Sequence, residues 1–383
     1  MASYKTQTSK FSVYLLGISI VIFSISALVY VYLNFFSSGF KNEILSNREI
    51  GILLSSYEND KLVQSCLVTL YPSRKKAGIY FINPLLVFSD SGPSLEKSGK
   101  DADGIIEKEI EALTETTIHH SIRINHSAFV RIINILGGME FYTDPYTHRE
   151  SSLYKRQQGE YVMSGEDLLD YISFIQENTP LEYIHRISRQ QSVLLTAYDF
   201  LQKNPLEKPV LEVIHSLLET SISKDDFFAL YQFVQSSHIV FSLSEVPAEP
   251  SVIPYTTEIV FRINPETVKT AWDNFKKEII SDRYLDGEKA RIEVLNFTET
   301  NGLARKATVI LHDRRMKVLS SANGWNTSLE QSIVLDRSGN PEYTYKTGNF
   351  LEIPKTRHSI RKDIGMDTTV LLGEDFARRY KQE

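Results

Sequence analysis

With 383 residues the chain is long enough for two globular domains of about 100–200 residues each. Its 42% hydrophobic and 23% charged residues mark a chain that folds around a core, not a disordered one. A formal charge of -6, with no Lys/Arg cluster that resembles a DNA-reading helix, counts against nucleic acid as a partner, and a single cysteine, Cys66, excludes an intrachain disulfide.

Residues 1–10 carry Lys5 and Lys10, and residues 11–36 carry no charge at all. A helix needs roughly 20 apolar residues to cross about 30 Å of hydrocarbon, so this run predicts a transmembrane helix with length to spare for tilt. Tyr14, Tyr30 and Tyr32 stand towards its ends, where amphipathic rings suit the headgroup region. The two lysines hold the leading tail in the cytoplasm and leave everything after Phe36 on the outer face of the plasma membrane. A cleaved secretory signal is the competing reading. Its apolar region would span only about 7–15 residues, and Ser37-Ser38-Gly39 makes a poor cleavage site.

Short buried strands are predicted at 51–54, 67–71 and 78–82, with the polar turn Pro72-Ser73-Arg74-Lys75-Lys76 between the last two. Residues 89–94 read as a loop and 96–103 as polar surface. Ile105, Ile106, Ile110 and Leu113 recur at helical spacing, and Ile118, Ile122 and Ile124 alternate with polar neighbours as in a half-buried strand. Ser127 is the expected N-cap of the next helix, whose stripe is Phe129, Ile132, Ile133 and Leu136 and whose end is Gly137-Gly138. A strand resumes at 139–142. One helix then starts near Ser164, with Leu168, Leu169 and Ile172 inward, and another runs from about Ile187 through Leu194, Tyr198 and Leu201. Alternating strands and helices predict an α/β fold, an α/β/α sandwich.

Pro247, Pro250 and Pro254 mark a connector, followed by a strand at 258–262 and an amphipathic helix at 268–280. A second, small α/β domain opens with Arg291-Ile292-Glu293-Val294-Leu295. It continues through a helix at about 302–313 and a strand at 317–319 and closes on the apolar strand 368–372.

Several of these segments carry a resemblance. Ile118-His119-His120-Ser121-Ile122-Arg123-Ile124, Leu136-Gly137-Gly138-Met139-Glu140, Ser164-Gly165-Glu166-Asp167-Leu168-Leu169-Asp170-Tyr171 and above all Arg186-Ile187-Ser188-Arg189-Gln190-Gln191 resemble the LytR–CpsA–Psr family in order and spacing. The likeness spans 49–250, and 251–287 reads as a connecting strand and helix. Residues 288–383 resemble the LytR-type C-terminal domain through Val294-Leu295-Asn296, Asn301-Gly302-Leu303-Ala304 and Thr369-Val370-Leu371-Leu372-Gly373-Glu374-Asp375-Phe376.

The resemblance implies a bacterial cell-envelope protein. Enzymes of the family are phosphotransferases that move a glycopolymer from a polyprenyl-pyrophosphate carrier onto peptidoglycan, with Mg2+ implied where the site is active. It assigns Arg186, Arg189, Gln190 and Gln191 to the pyrophosphate. Arg186 and Arg189, three apart, share a helix face. At a helix's first turn, where the dipole disfavours cations by about 0.3–1 kcal/mol each, an anion between them explains their presence. Pairing of both with Glu177, Glu182 or another carboxylate is the alternative.

The family's charged positions are thinned here. Its Asp-containing loop corresponds to Ser55-Ser56-Tyr57-Glu58-Asn59-Asp60, and its second aspartate to serine within Val63-Gln64-Ser65-Cys66. Its S-I-P-R-D segment reads Phe81-Ile82-Asn83-Pro84-Leu85, and its Y-x-R-x-R stretch reads Tyr171-Ile172-Ser173-Phe174-Ile175. Losing one such arginine costs on the order of 10³ in rate, so losing several predicts weakened or lost transfer. Glu58 and Asp60 are the remaining carboxylates for a metal, Arg74, Lys75 and Lys76 read as a solvated cluster, and adjacent His119 and His120 face opposite sides of a strand. His185 next to Arg186 is a lone histidine. Three functions stay open: binding of a polyprenyl-linked lipid or glycan, active glycopolymer transfer to peptidoglycan, and a structural envelope role.

Overall fold

The computed structural model describes residues 39–46, 48–89, 92–144, 159–175, 177–281, 289–324 and 328–380. The expected membrane helix at 11–36 and its tail lie outside them, and among the described residues no helix is long and apolar enough to cross a membrane.

In chain order these residues begin with α1 (Gly39–Leu45), β1 (Ile50–Glu58), β2 (Lys61–Tyr71), β3 (Lys76–Ile82), β4 (Leu86–Val87), α2 (Ala102–Thr114) and β5 (His120–Asn125). They continue with α3 (His126–Ile135), β6 (Met139–Thr143), β7 (Gly159–Met163), α4 (Gly165–Ser173), α5 (Pro180–Lys203), α6 (Lys208–Ser216), β8 (Glu219–Thr220) and α7 (Lys224–Ser236). β9 (Val240–Glu245), β10 (Glu249–Val252), β11 (Ile259–Arg262) and α8 (Pro265–Ile280) follow.

Six strands make one sheet in the order β8-β5-β1-β2-β3-β9. The β1–β2 hairpin turns at Asn59-Asp60, both at positive φ (48° and 66°), a two-residue geometry that these side chains tolerate. The stretch expected as an acidic loop is therefore mostly strand, with Ser55 opposite Ser65 and Leu54 opposite Cys66. On one face Leu53, Leu67 and Tyr80 meet Ile106 and Ile110 of α2 and Trp272 of α8. On the other, Ile52 and Leu70 cluster with Tyr198 of α5 and Leu230 of α7. Period-2 alternation along β1 sends neighbouring residues to these two layers, which is the expected α/β/α sandwich.

Three local expectations change. Asn125, not Ser127, caps α3 by accepting from the Ala128 N–H at 2.8 Å, and Ser127 instead donates to Asn125. Residues 96–103 are not surface throughout, because Asp103 is 2% exposed. Arg74 and Lys76 are not merely solvated: they donate to the carbonyls of Ile280 and Ser281 at the C-terminal end of α8, where orphan carbonyls and the dipole favour cations.

The second domain contains β12 (Ile292–Asn296), α9 (Leu303–Asp313), β13 (Val318–Asn323), β14 (Ile333–Asp336), α10 (Pro341–Phe350), β15 (Thr356–His358), β16 (Thr368–Leu372) and α11 (Glu374–Tyr380). Its sheet runs β13-β12-β16-β14-β15 around a core that includes Val294, Leu311, Val370 and Phe376.

The seam between the domains is apolar at one point and ionic along the rest. Tyr142 of β6 packs with Phe297, Leu335 and Leu371. Arg337 grips Asp144 bidentately at 2.5 and 3.0 Å, both side chains being buried. His358 lies between Asp336 at 3.0 Å and Asp199 of α5 at 3.2 Å. The Ile360 N–H donates to Ser192 of α5 at 2.8 Å.

Candidate functional site

α5 starts at Pro180, earlier than the sequence pattern places it, because Thr179 caps it by accepting from the Glu182 N–H and Pro180 has no N–H to lose. Arg186 thus sits in the second turn and Arg189 in the third, so the first-turn dipole argument does not apply. All four motif residues are buried, none more than 9% exposed.

Their surroundings differ. The Arg189 Nε donates to the Tyr171 carbonyl at 2.8 Å and an Nη to the Phe174 carbonyl, and the guanidinium lies 5.8 Å from the Phe174 ring centroid. These contacts tie α5 to the C-terminal end of α4, where carbonyls lack helical partners. Gln191 donates to Glu245 at 3.0 Å, and Lys362 of the second domain reaches the same carboxylate at 2.8 Å. Both residues are structural ties.

Arg186 is different. Its guanidinium lies over the Tyr183 ring at 5.2 Å, its Nε is buried without a hydrogen-bond partner, and among the described residues no carboxylate comes within ion-pair distance. Burial holds its pKa below the usual arginine range, while Tyr183 and Glu96 pull the other way. Neither Glu177 nor Glu182 neutralises it.

Gln190 is one turn further along the same stripe as Arg186. It lines a cavity of about 230 Å³ between the sheet and helices α3 and α5. Ser56, Gln64 and Gln190 form a polar end, and Leu54, Cys66, Ile122, Phe129 and Ala197 continue the wall as apolar surface. The register fixes this direction: Ser56 lies opposite Gln64 and Leu54 opposite Cys66, so the apolar part lies towards the start of β1. Burial pushes the Cys66 thiol up to about 12, as a dry wall requires.

The remaining candidates are absorbed by structure. His119 Nδ1 accepts from the Gly51 N–H at 3.0 Å, and His120 meets Glu43 at 3.0 Å. His185 stands between Glu182 at 3.5 Å and Asp363 at 3.7 Å. Glu58 faces the His126 ring at 3.6 Å and Asp60 pairs with Lys100 at 3.2 Å, so each has a partner of its own.

Asp103 was missed in the sequence because it sits in a charged run. It accepts from Ser55 and Tyr57, each at 2.7 Å, and from Arg123. Three donors engage this carboxylate, and the family's second aspartate is replaced by serine within Val63-Gln64-Ser65-Cys66. Among the described residues no group of three His, Cys, Asp or Glu side chains is arranged to hold a metal. The described residues do not fit the divalent cation that the resemblance implies.

Residues 102–277 match the LytR_cpsA_psr family, and residues 289–376 match LytR_C, described as LytR cell envelope-related transcriptional attenuator. A search of the curated proteins finds no match. Among solved structures, a transcriptional regulator from Enterococcus faecalis is similar with a TM-score of 0.51 and 15% identity, over 63% of this chain and 90% of that one. A protein from Streptococcus agalactiae has a TM-score of 0.50 and 16% identity, over 64% and 92%. TagV of B. subtilis has a TM-score of 0.49 and 16% identity, over 62% and 99%. The first two likenesses agree with the α/β fold. Residues 102–277 thus form a LytR–CpsA–Psr family domain, and residues 289–376 a LytR-type C-terminal domain.

Proposed function

We propose that this protein binds a polyprenyl-(pyro)phosphate lipid, free or glycan-linked, in cell-wall assembly, and that its transferase activity is weakened or lost. The observation that carries the reading is the orphaned Arg186 guanidinium, one helical turn from the Gln190 that lines the polar end of an apolar cavity. A buried cation without a partner is costly, and a phosphate ester would give it charge-assisted hydrogen bonds. An isoprenoid tail gains about 0.8 kcal/mol for each buried CH₂ and needs none of the missing acids. Residues 11–36 would anchor the chain in the plasma membrane with both domains outside. The apolar end of the cavity, towards the start of β1, then faces the side from which the anchor arrives.

Full-length protein in detergent, mixed with a polyprenyl phosphate, tests this. Saturable binding is expected, lost in Arg186→Ala and in Ala197→Trp, which fills the cavity. Absence of binding with wild-type protein overturns the reading. Transfer of a labelled glycan to peptidoglycan overturns the loss of catalysis.

A further inference from the structure

A second recess lies along the seam between the domains, on the opposite half of α5 from Arg186. Two cavities, of about 390 and 270 Å³, share Asp199, Lys203 and Thr356 as wall residues. They adjoin as a trough with α5 on one side and the second domain on the other. Its dimensions suit a chain of small units more than one compact molecule.

The chemistry of the walls narrows the occupant. Phe200 borders one compartment, and Tyr198 and Tyr345 border the other. Between the rings stand side-chain amides. Asn204 donates to the Phe200 carbonyl at 2.9 Å, which leaves its oxygen free to accept, and the Asn349 amide has no hydrogen bond among the described residues. Rings that accept apolar faces, together with neutral donors and acceptors in the same walls, match the CH faces and hydroxyls of sugars.

Charge supplies the rest. The two carboxylates of the trough are already engaged, Asp199 by His358 and Tyr345, and Glu140 by Arg357. Lys203 lowers the Asp199 pKa through space, yet among the described residues its ammonium has no ion-pair or hydrogen-bond partner. The cation left over is Lys203. We infer that the seam trough is a binding site for a linear anionic glycan, with Lys203 receiving its carboxylate or phosphate and the amides and rings receiving its sugar units. This site is distinct from the cavity lined by Gln190 and does not rest on the lipid reading. It draws on both domains, the first contributing α5 and the turn at Gly137-Gly138 and the second contributing Tyr345, Thr356 and Arg357.

Calorimetric titration of the full-length protein in detergent tests it. The titrants are a uronate-containing tetrasaccharide, its carboxyl-reduced form, a glycerol-phosphate oligomer and an acidic tetrapeptide. Lys203 and Asn349 are exposed, so Lys203→Glu and Asn349→Trp leave the fold intact. Saturable binding of the uronate glycan or the phosphate oligomer is expected, and the tighter of the two identifies the anion. Lys203→Glu should weaken it about tenfold, the scale of one charge-assisted contact. Asn349→Trp should block it. Equal affinity for the carboxyl-reduced glycan, indifference to both substitutions, preference for the peptide, or no binding of either anionic titrant would each overturn the proposal.

Discussion

The two ends of α5 handle buried charge in opposite ways. Near its start, Arg186 is desolvated over an aromatic ring with no carboxylate in reach. Further along, at the seam, Arg337 is matched to Asp144 and His358 lies between two aspartates. A paired charge inside a protein stabilises one arrangement of its parts, whereas an unpaired one is tolerated where something else is meant to pair with it. The contrast sets an unpaired arginine on α5 beside a seam whose buried charges are matched.

The strongest way to break that comparison is to treat both arginines alike. Arg337→Ala takes the bidentate cation from the buried Asp144 carboxylate and should destabilise the protein by about 3–5 kcal/mol in urea unfolding. Arg186→Met removes an orphaned donor without stranding any anion. It should be neutral or raise stability by up to about 1 kcal/mol while abolishing lipid binding. Equal costs at the two positions would end the distinction.

Acid–base titration sharpens it. The flanking carboxylates outweigh burial and raise the pKa of His358 to about 9. Because the folded value exceeds the unfolded one, the stabilisation is complete below about pH 6.5 and disappears as pH rises through 9. The loss should be on the order of 3 kcal/mol, seen as a fall in unfolding free energy across that window. His358→Gln should flatten the profile. The Asp199 pKa is lowered by the same histidine against the effect of burial, so its contribution vanishes only in acid.

The smallest effect separates two neighbouring side chains. Asn125→Ala should cost about 1 kcal/mol, the usual value of an N-cap, and Ser127→Ala less than about 0.5 kcal/mol. Thermal unfolding of the pair reads the difference, and reversed magnitudes would restore the cap expected from the sequence.

Much of this architecture was legible in hydrophobic spacing: the strands, the stripe on α3, the Gly137-Gly138 exit and both α/β units. The division of labour within Arg186-Ile187-Ser188-Arg189-Gln190-Gln191 was not. Spacing puts Arg186 and Arg189 on one face, yet α4 offers its terminal carbonyls to only one of them. The true helix start had a readable signal in Thr179-Pro180 with Glu182, the pattern of a capped first turn. Asn59-Asp60 likewise announced a hairpin. The Arg337–Asp144 pair spans 193 residues of sequence, and no local pattern encodes such a partner.

The cation-capped end of α8 carries a consequence for how the chain assembles. Arg74 belongs to an early hairpin, but the Ile280 carbonyl it holds lies 206 residues later. β3 must also wait for β9 to cover its free edge, and β4 must wait for β11. Contacts this distant in sequence are slow to close, because the intervening chain must first be ordered. The first domain therefore cannot finish folding while it is being delivered from its N-terminal side, and its central strands remain exposed until the last helix arrives.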